Sequence, residues 1–131
     1  MPSETLPETH ADLLERPLFA HLATVRPDGT PQSNVMWYVW DGAVLRMTHT
    51  KTRQKFRNFA QQPKVALSVA DPDDQYRYLE VRGTVASIED DDTEASFYQA
   101  LQERYSRPIP IKDAAVRVVV TIRPESFVAH G

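Results

Sequence analysis

Six stretches of this chain, alternating or rich in β-branched and aromatic residues, are each long enough for a strand. The stretches are Leu18 to Val25, Pro31 to Trp40, Ala43 to Thr48, Lys64 to Ala70, Tyr76 to Ile88 and Ala114 to Ile122. Turn chemistry separates them. Arg26-Pro27-Asp28-Gly29 has a proline that presets φ and a glycine for the left-handed position. Asp41-Gly42 is a two-residue hairpin signal. Asp71-Pro72-Asp73-Asp74 reads as a loop. Gly83, inside the longest strand, marks a bulge or a close backbone approach.

Three stretches change period and predict helices. Thr9 to Glu15 is short, with Thr9 as a cap and Leu13 and Leu14 facing inward. After the polar run His49 to Thr52, Phe56, Phe59 and Ala60 recur at spacings of three and four, and Pro63 ends the helix. Thr93 to Tyr105 follows the acidic stretch Glu89 to Asp92, which caps it and suits its dipole. Its inner stripe is Phe97, Leu101 and Tyr105, and the stiff segment Arg107-Pro108-Ile109-Pro110 comes next. Hairpin-linked strands in this order predict a mainly β (α+β) fold, a six-stranded antiparallel barrel with helices outside it, because closure removes exposed edges.

Composition narrows the function. Residues 1–131 make one domain, without repeats or a linker, and 41% hydrophobic against 25% charged residues predicts a packed core. No cysteine means no disulfide, thiolate metal site or thiol nucleophile, and fits a reducing cytoplasm. No apolar run approaches the roughly 20 residues of a membrane helix. The N-terminus MPSETLPETH lacks a signal pattern. These features predict a cytoplasmic protein without membrane contact. A pI near 5.8 argues against nucleic-acid binding. His10, His21, His49 and His130 are scattered, so no metal site is expected, and no nucleophile elbow, phosphate loop or dinucleotide fingerprint appears. No side chain stands out as catalytic. Any catalysis falls to a bound cofactor.

One segment departs from the acidic average. Between Asp41 and Asp71 there is no acidic residue, and there are six basic ones: Arg46, Lys51, Arg53, Lys55, Arg57 and Lys64. Four lie in THTKTRQKFRN, residues 48–58, at a predicted helix start. Cations avoid that end of a helix, where the dipole is positive and N–H groups are free. Lys51 and Lys55 stack as like charges, as do Arg53 and Arg57, at a cost of a few tenths of a kcal/mol per pair unless an anion bridges them. The run reads either as a solvated face or as an anion site, with phosphate the favoured anion. Thr48, Thr50 and Thr52 are either site hydroxyls or strand-end and capping residues. Along a strand Trp37 faces opposite to Tyr38 and Trp40, which leaves one aromatic face for a ring-shaped ligand or a partner subunit.

Residues 21–69 resemble the pyridoxamine-phosphate-oxidase-like split β-barrel flavoproteins. The resemblance is carried by Leu22-Ala23-Thr24, Asp28-Gly29, Pro31, Thr48, Lys55, Asn58, Pro63 and Val65, and later by Glu80-Val81-Arg82-Gly83-Thr84-Val85. It extends over roughly residues 9–128. It implies the FMN-binding split-barrel fold and a homodimer with the cofactor at the interface. It places Lys55 on the cofactor phosphate, with Arg53, Gln54 and Thr48 in the same pocket and Val35, Met36 and Trp37 along the ring. Thr50, Lys51, Arg57 and Asn58 complete the expected site. The oxidases that act on pyridoxine phosphate have Arg-x-Val-Leu-Leu-Lys where this chain has Gln32-Ser33-Asn34-Val35-Met36-Trp37, and their terminal Trp-Arg-Leu is absent. The Met-Trp-Tyr strand and the basic run are more similar to the branch using the deazaflavin coenzyme F420, whose phosphate and polyglutamate tail suit four cations. The expectation is an F420-dependent oxidoreductase acting on a small organic substrate. The alternatives are an FMN enzyme of the same fold and a non-catalytic F420 carrier.

Overall fold

The computed structural model describes residues 2–131, except the side chains of Gln54 and Lys55. Seven antiparallel strands form one sheet: β1 (Ala20–Val25), β2 (Pro31–Met36), β3 (Val39–Trp40), β4 (Leu45–Thr50), β5 (Lys64–Asp71), β6 (Asp74–Asp90) and β7 (Arg117–His130). Their order across the sheet is β2-β1-β5-β6-β7-β4-β3. The sequence predicts six strands. The seventh arises because Pro31 to Trp40 breaks at Trp37-Tyr38, where the Tyr38 N–H donates to the Tyr105 hydroxyl at 3.1 Å and leaves the strand ladder.

That break explains the shape. β2 and β3 are the two edges of the sheet, yet Met36 and Val39 are only three Cα steps apart. At 3.8 Å a step the edges lie within about 11 Å of each other there. The sheet therefore curls on itself, while among the described residues no pairing joins β2 to β3 and the ladder stays open. Leu22, Leu45, Met47, Val65, Leu67, Val69, Leu79, Val81, Val118, Val120 and Ile122 alternate inward and form the core.

Gly83 matches its sequence reading. The β6–β7 register shifts between Arg82 and Gly83, and a Cβ there would stand 2.5 Å from the Arg123 carbonyl oxygen. Pro124 sits opposite, where the irregular ladder tolerates a residue without a donor.

The helices are α1 (Asp12–Glu15), α2 (Gln54–Gln61) and α3 (Ser96–Arg104). A 3₁₀ turn over Glu8–His10 precedes α1, and the Thr9 hydroxyl, expected to cap, pairs with His10 Nδ1 at 2.8 Å instead. Leu13 and Leu14 are fully buried, as expected. On α2, Phe59 is buried and Phe56 half-buried, but Ala60 is exposed and Asn58 takes the inward position. Asn58 Nδ2 donates to Thr24 Oγ1 at 2.9 Å and to Gln32 Oε1 at 3.3 Å, which seats α2 on β1 and β2. A second 3₁₀ turn, Ala114–Val116, leads into β7. Among the described residues no helix is long and apolar enough to cross a membrane.

An ion network fastens α1 to the β5–β6 hairpin. Arg77 binds Asp12 at 2.5 Å and Asp71 at 3.0 Å, and Arg16 binds Asp12 at 3.3 Å. The Arg77 hydrogen bond holds the Asp12 carboxyl below its ordinary 3.8, and the Asp73 N–H followed by Arg77 does the same for Asp71. A depressed folded pKa stabilises the fold above the unfolded value and is lost as pH falls through the folded one. Stability should therefore decline with acid from about pH 4 downward. Asp12→Asn should melt a few degrees lower at pH 7 and lose less than the parent as pH falls below 4. Parallel melting-temperature profiles for the two proteins would show that the network does not carry this acid response.

Candidate functional site

A cleft of about 280 Å³ opens where β2 and β4 end. Val35, Met36 and Trp37 form one wall from the end of β2. Thr48, His49 and Thr50 come from the end of β4, followed by Arg53 just before α2. Tyr98 of α3, Ile109 of the proline-rich connection and Arg117 at the start of β7 complete it. Strand register assembles these residues, since Thr48 lies opposite Val119 and Thr50 opposite Arg117. Along β4, Leu45, Met47 and His49 are buried, and Thr48 points the other way. His49 meets the edge of Phe59 with ring centroids 6.3 Å apart.

Arg117 is fixed before any ligand arrives. Its Nε donates to Asp113 at 3.0 Å, its Nη1 to Thr48 Oγ1 at 3.4 Å, and its guanidinium lies 3.7 Å over the Tyr98 ring. Only 14% of the side chain is exposed. A planar cation stacked on a ring in this way keeps its charge and gives up little further freedom on binding. Tyr98 is held in turn by the start of α3. The Asp91 carboxylate accepts the N–H groups of Phe97 and Tyr98, each at 3.2 Å, and Asp92 accepts those of Glu94 and Ser96 at 3.1 and 2.9 Å. The Ser96 bonds keep the Asp92 pKa below its ordinary value. These two acids serve the positive end of α3, as the sequence predicts, and neither lines the cleft.

The start of α2 is the reverse case. Arg53 occupies its N-cap position in an extended conformation, no side chain caps it among the described residues, and its first turn has no acid. The Arg53 side chain is exposed and makes no ion pair among the described residues. Among the described residues no carboxylate lines the cleft, and two guanidinium groups do. One end of the cleft is thus positive and rich in hydroxyls, and the other is an apolar and aromatic ledge.

Of the residues singled out in the sequence, Val35, Met36, Trp37, Thr48, Thr50 and Arg53 come together here. Lys51, Arg57 and Asn58 do not line the cleft. Lys51 pairs with Asp90 at 2.5 Å, Arg57 is exposed on α2, and Asn58 is buried beneath it. Gln54 and Lys55 have side chains outside the described part. The basic island has more acidic partners than the sequence suggests: Arg46 pairs with Asp41 at 2.7 Å and Lys64 with Glu125 at 2.9 Å. His49, Tyr98, Ile109 and Arg117 are added by the structure. Their only sequence signal is the basic residue opening the final strand, which carries no message until β4 is known to lie beside it.

Known proteins share this fold. The family profile described as pyridoxamine 5'-phosphate oxidase matches residues 6–130. A solved protein named F420 reductase is 56% identical, with a TM-score of 0.91 over 94% of this chain and 98% of its own. A conserved hypothetical protein from Mycobacterium tuberculosis is 27% identical, with a TM-score of 0.74 over 96% of this chain and 85% of its own. A putative pyridoxamine 5'-phosphate oxidase from Listeria innocua, 23% identical with a TM-score of 0.72 over 91% and 93% of the two chains, shares the fold. Among curated proteins none matches. A profile that spans nearly the whole chain, on the same curled sheet, places the protein in the pyridoxamine 5'-phosphate oxidase family.

Proposed function

We propose that this chain binds coenzyme F420 and serves as an F420-dependent oxidoreductase toward a small organic substrate. The carrying observation is the acid-free cleft, apolar at Val35, Met36 and Trp37 and cationic at Arg53 and Arg117. That donor set fits a flat ring carrying an anionic arm. The ring would lie along the β2 ledge, and its phosphate would meet Arg53, the Thr48 and Thr50 hydroxyls and the start of α2. Lys55, in the first turn of that helix, belongs to the same reading. The likeness to a protein named F420 reductase supports the deazaflavin over other ring cofactors.

When bound, the deazaflavin supplies a hydride-transferring carbon. The side chains bind, orient and shield. Arg117 holds Thr48 through its 3.4 Å contact and sets the potential of the cleft without leaving its stack on Tyr98. Lys51 and Arg57 lie outside the cleft and extend the positive surface along α2, where a polyglutamate tail would run. The Lys51–Asp90 pair is exposed on both sides, so a tail carboxylate can displace Asp90 at little cost.

We further propose a homodimer. At about 280 Å³ the cleft falls just under the usual small-molecule range of roughly 300–1,000 Å³. Val35 on its wall is 59% exposed. A second copy would supply the missing wall. Light scattering should give about twice the 14.9 kDa chain mass; a monomer at micromolar concentration would leave the cleft one-sided and remove the shared site.

Arg53→Ala tests the anion contact cleanly, because its side chain is exposed. Affinity for F420 should fall roughly 10- to 150-fold, the equivalent of about 1.5–3 kcal/mol for a charge-assisted contact, with the melting temperature unchanged or slightly raised. Lys55→Ala should behave alike. Unchanged dissociation constants for both variants would sink the phosphate assignment. Cofactor choice has its own measurement. Titrations followed by tryptophan fluorescence should show F420 binding more tightly than FMN and losing affinity more steeply with salt, because its tail adds exposed charge pairs that are screened within about 10 Å at 0.1 M. Equal affinities with equal salt slopes would favour the flavin.

A further inference from the structure

Trp37 lines a second cavity besides the cleft. This one, of about 310 Å³, is walled by Phe19, Trp37, Tyr105 and Arg107. Among the described residues, three aromatic rings and one cation make up its lining, with no carboxylate. The rings are close to parallel. Trp37 and Tyr105 are 4.9 Å apart at 10°, and Phe19 and Tyr105 are 6.2 Å apart at 25°. The Tyr105 hydroxyl donates to the Leu18 carbonyl at 2.6 Å and accepts the Tyr38 N–H at 3.1 Å, which anchors the tip of the middle residue. Phe19 is 57% exposed, a large apolar surface open to a flat partner.

The backbone that carries the cation is also held in place. Arg107 N–H donates to the Gln102 carbonyl at 2.9 Å after Ser106, which has φ of 51°. The buried Gln102 side chain then grips Ile109 at both ends, donating to its carbonyl at 3.1 Å and accepting its N–H at 3.2 Å. Pro108 and Pro110 stiffen the rest. This clamped segment puts Arg107 in the second cavity and Ile109 in the first. The nearby Arg104 is committed to the Tyr38 and Glu15 carbonyls at 3.1 and 3.0 Å. Arg107 makes no ion pair among the described residues.

We infer that this second cavity is a subsite for a planar, conjugated organic carboxylate. The ring system packs against the exposed Phe19 and the rims of Tyr105 and Trp37, and Arg107 takes the carboxylate through its fork. Because Trp37 borders both cavities, a ligand here lies beside whatever ring occupies the cleft. Its role as the substrate rests on the deazaflavin reading; its binding does not.

The test uses the full chain without cofactor and 2-naphthoate as the probe, read by calorimetry and tryptophan fluorescence. Binding should saturate, and the neutral 2-naphthalenemethanol and the non-planar cyclohexanecarboxylate should each bind at least about 10-fold more weakly. Arg107→Gln should weaken 2-naphthoate roughly 5- to 30-fold and leave 2-naphthalenemethanol unchanged, with Arg107→Lys recovering part of the loss. Phe19→Ala should weaken both aromatic probes. No saturable binding, or no response to Arg107→Gln, overturns the subsite. So does an affinity that weakens as protein concentration rises, because a second copy of the chain would then be the occupant. Failure of 2-naphthoate to bind a chain that does bind F420 removes the subsite alone. Arg107-dependent binding to a chain that does not bind F420 supports the subsite and removes only its redox role.

Discussion

Two residues have to carry the chain from one edge of the sheet to the other, and the polar groups of Tyr38 hold that crossing. Its hydroxyl donates to the Leu13 carbonyl at 2.6 Å and lies 3.2 Å from that of Arg16. Its N–H goes to Tyr105 and its carbonyl accepts Arg104. Burial raises the phenol pKa, so the group stays neutral and keeps donating. A buried residue that leaves the ladder must satisfy its backbone elsewhere or cost about 1–3 kcal/mol per orphaned group. Tyr38 does so with the side chains of Arg104 and Tyr105 at the end of α3, while its hydroxyl ties it to the backbone of α1. With Tyr38 turned into the core, Trp37 is turned out, and both cavities form around it.

Charge follows the same geometry. The helix start at α3 is met by Asp91 and Asp92, and that at α2 by arginine. One positive end is neutralised within its own turn, and the other has no acid in its first turn and lies beside the cleft. Most of the cations around this opening are not idle: Arg46, Lys51 and Lys64 have acids within reach, and Arg117 has Asp113. Among the cleft cations, Arg117 is stacked and paired and Arg53 is exposed, so one sets the potential and the other is free to move onto an anion.

Much of the fold was legible because it rests on local rules. The alternation of β4, β5 and β7, the Arg26–Gly29 and Asp41–Gly42 turns and the Gly83 irregularity all express backbone sterics and single-face burial. The split in Pro31 to Trp40 was not legible, because its cause is a hydroxyl 67 residues away. Ala60 and Asn58 exchanged places for a related reason. Periodicity favours the apolar residue inside, and only the Thr24 hydroxyl at 2.9 Å makes the amide the better choice. At the site, the β2 ledge and Arg53 could be read from their own segment. Arg117, Tyr98 and His49 could not, since they meet through the β4–β7 register and the cap of α3. The Lys51–Asp90 pair is another product of that packing.

What the cleft lacks also bears on its chemistry. Among its described lining residues there is no carboxylate, thiol or serine, and the one imidazole among them, His49, sits on the buried face of β4 against Phe59. Acid–base or nucleophilic catalysis needs a group that reaches the reacting atoms in a matched protonation state. Guanidinium groups cannot give up a proton at neutral pH, and threonine hydroxyls need a partner base that this cleft does not provide. These side chains are suited to holding a charged ring system in one orientation and limiting water at its face. On the reading proposed above, reactivity of that kind comes with the ligand, and the protein's share is geometry and electrostatic potential.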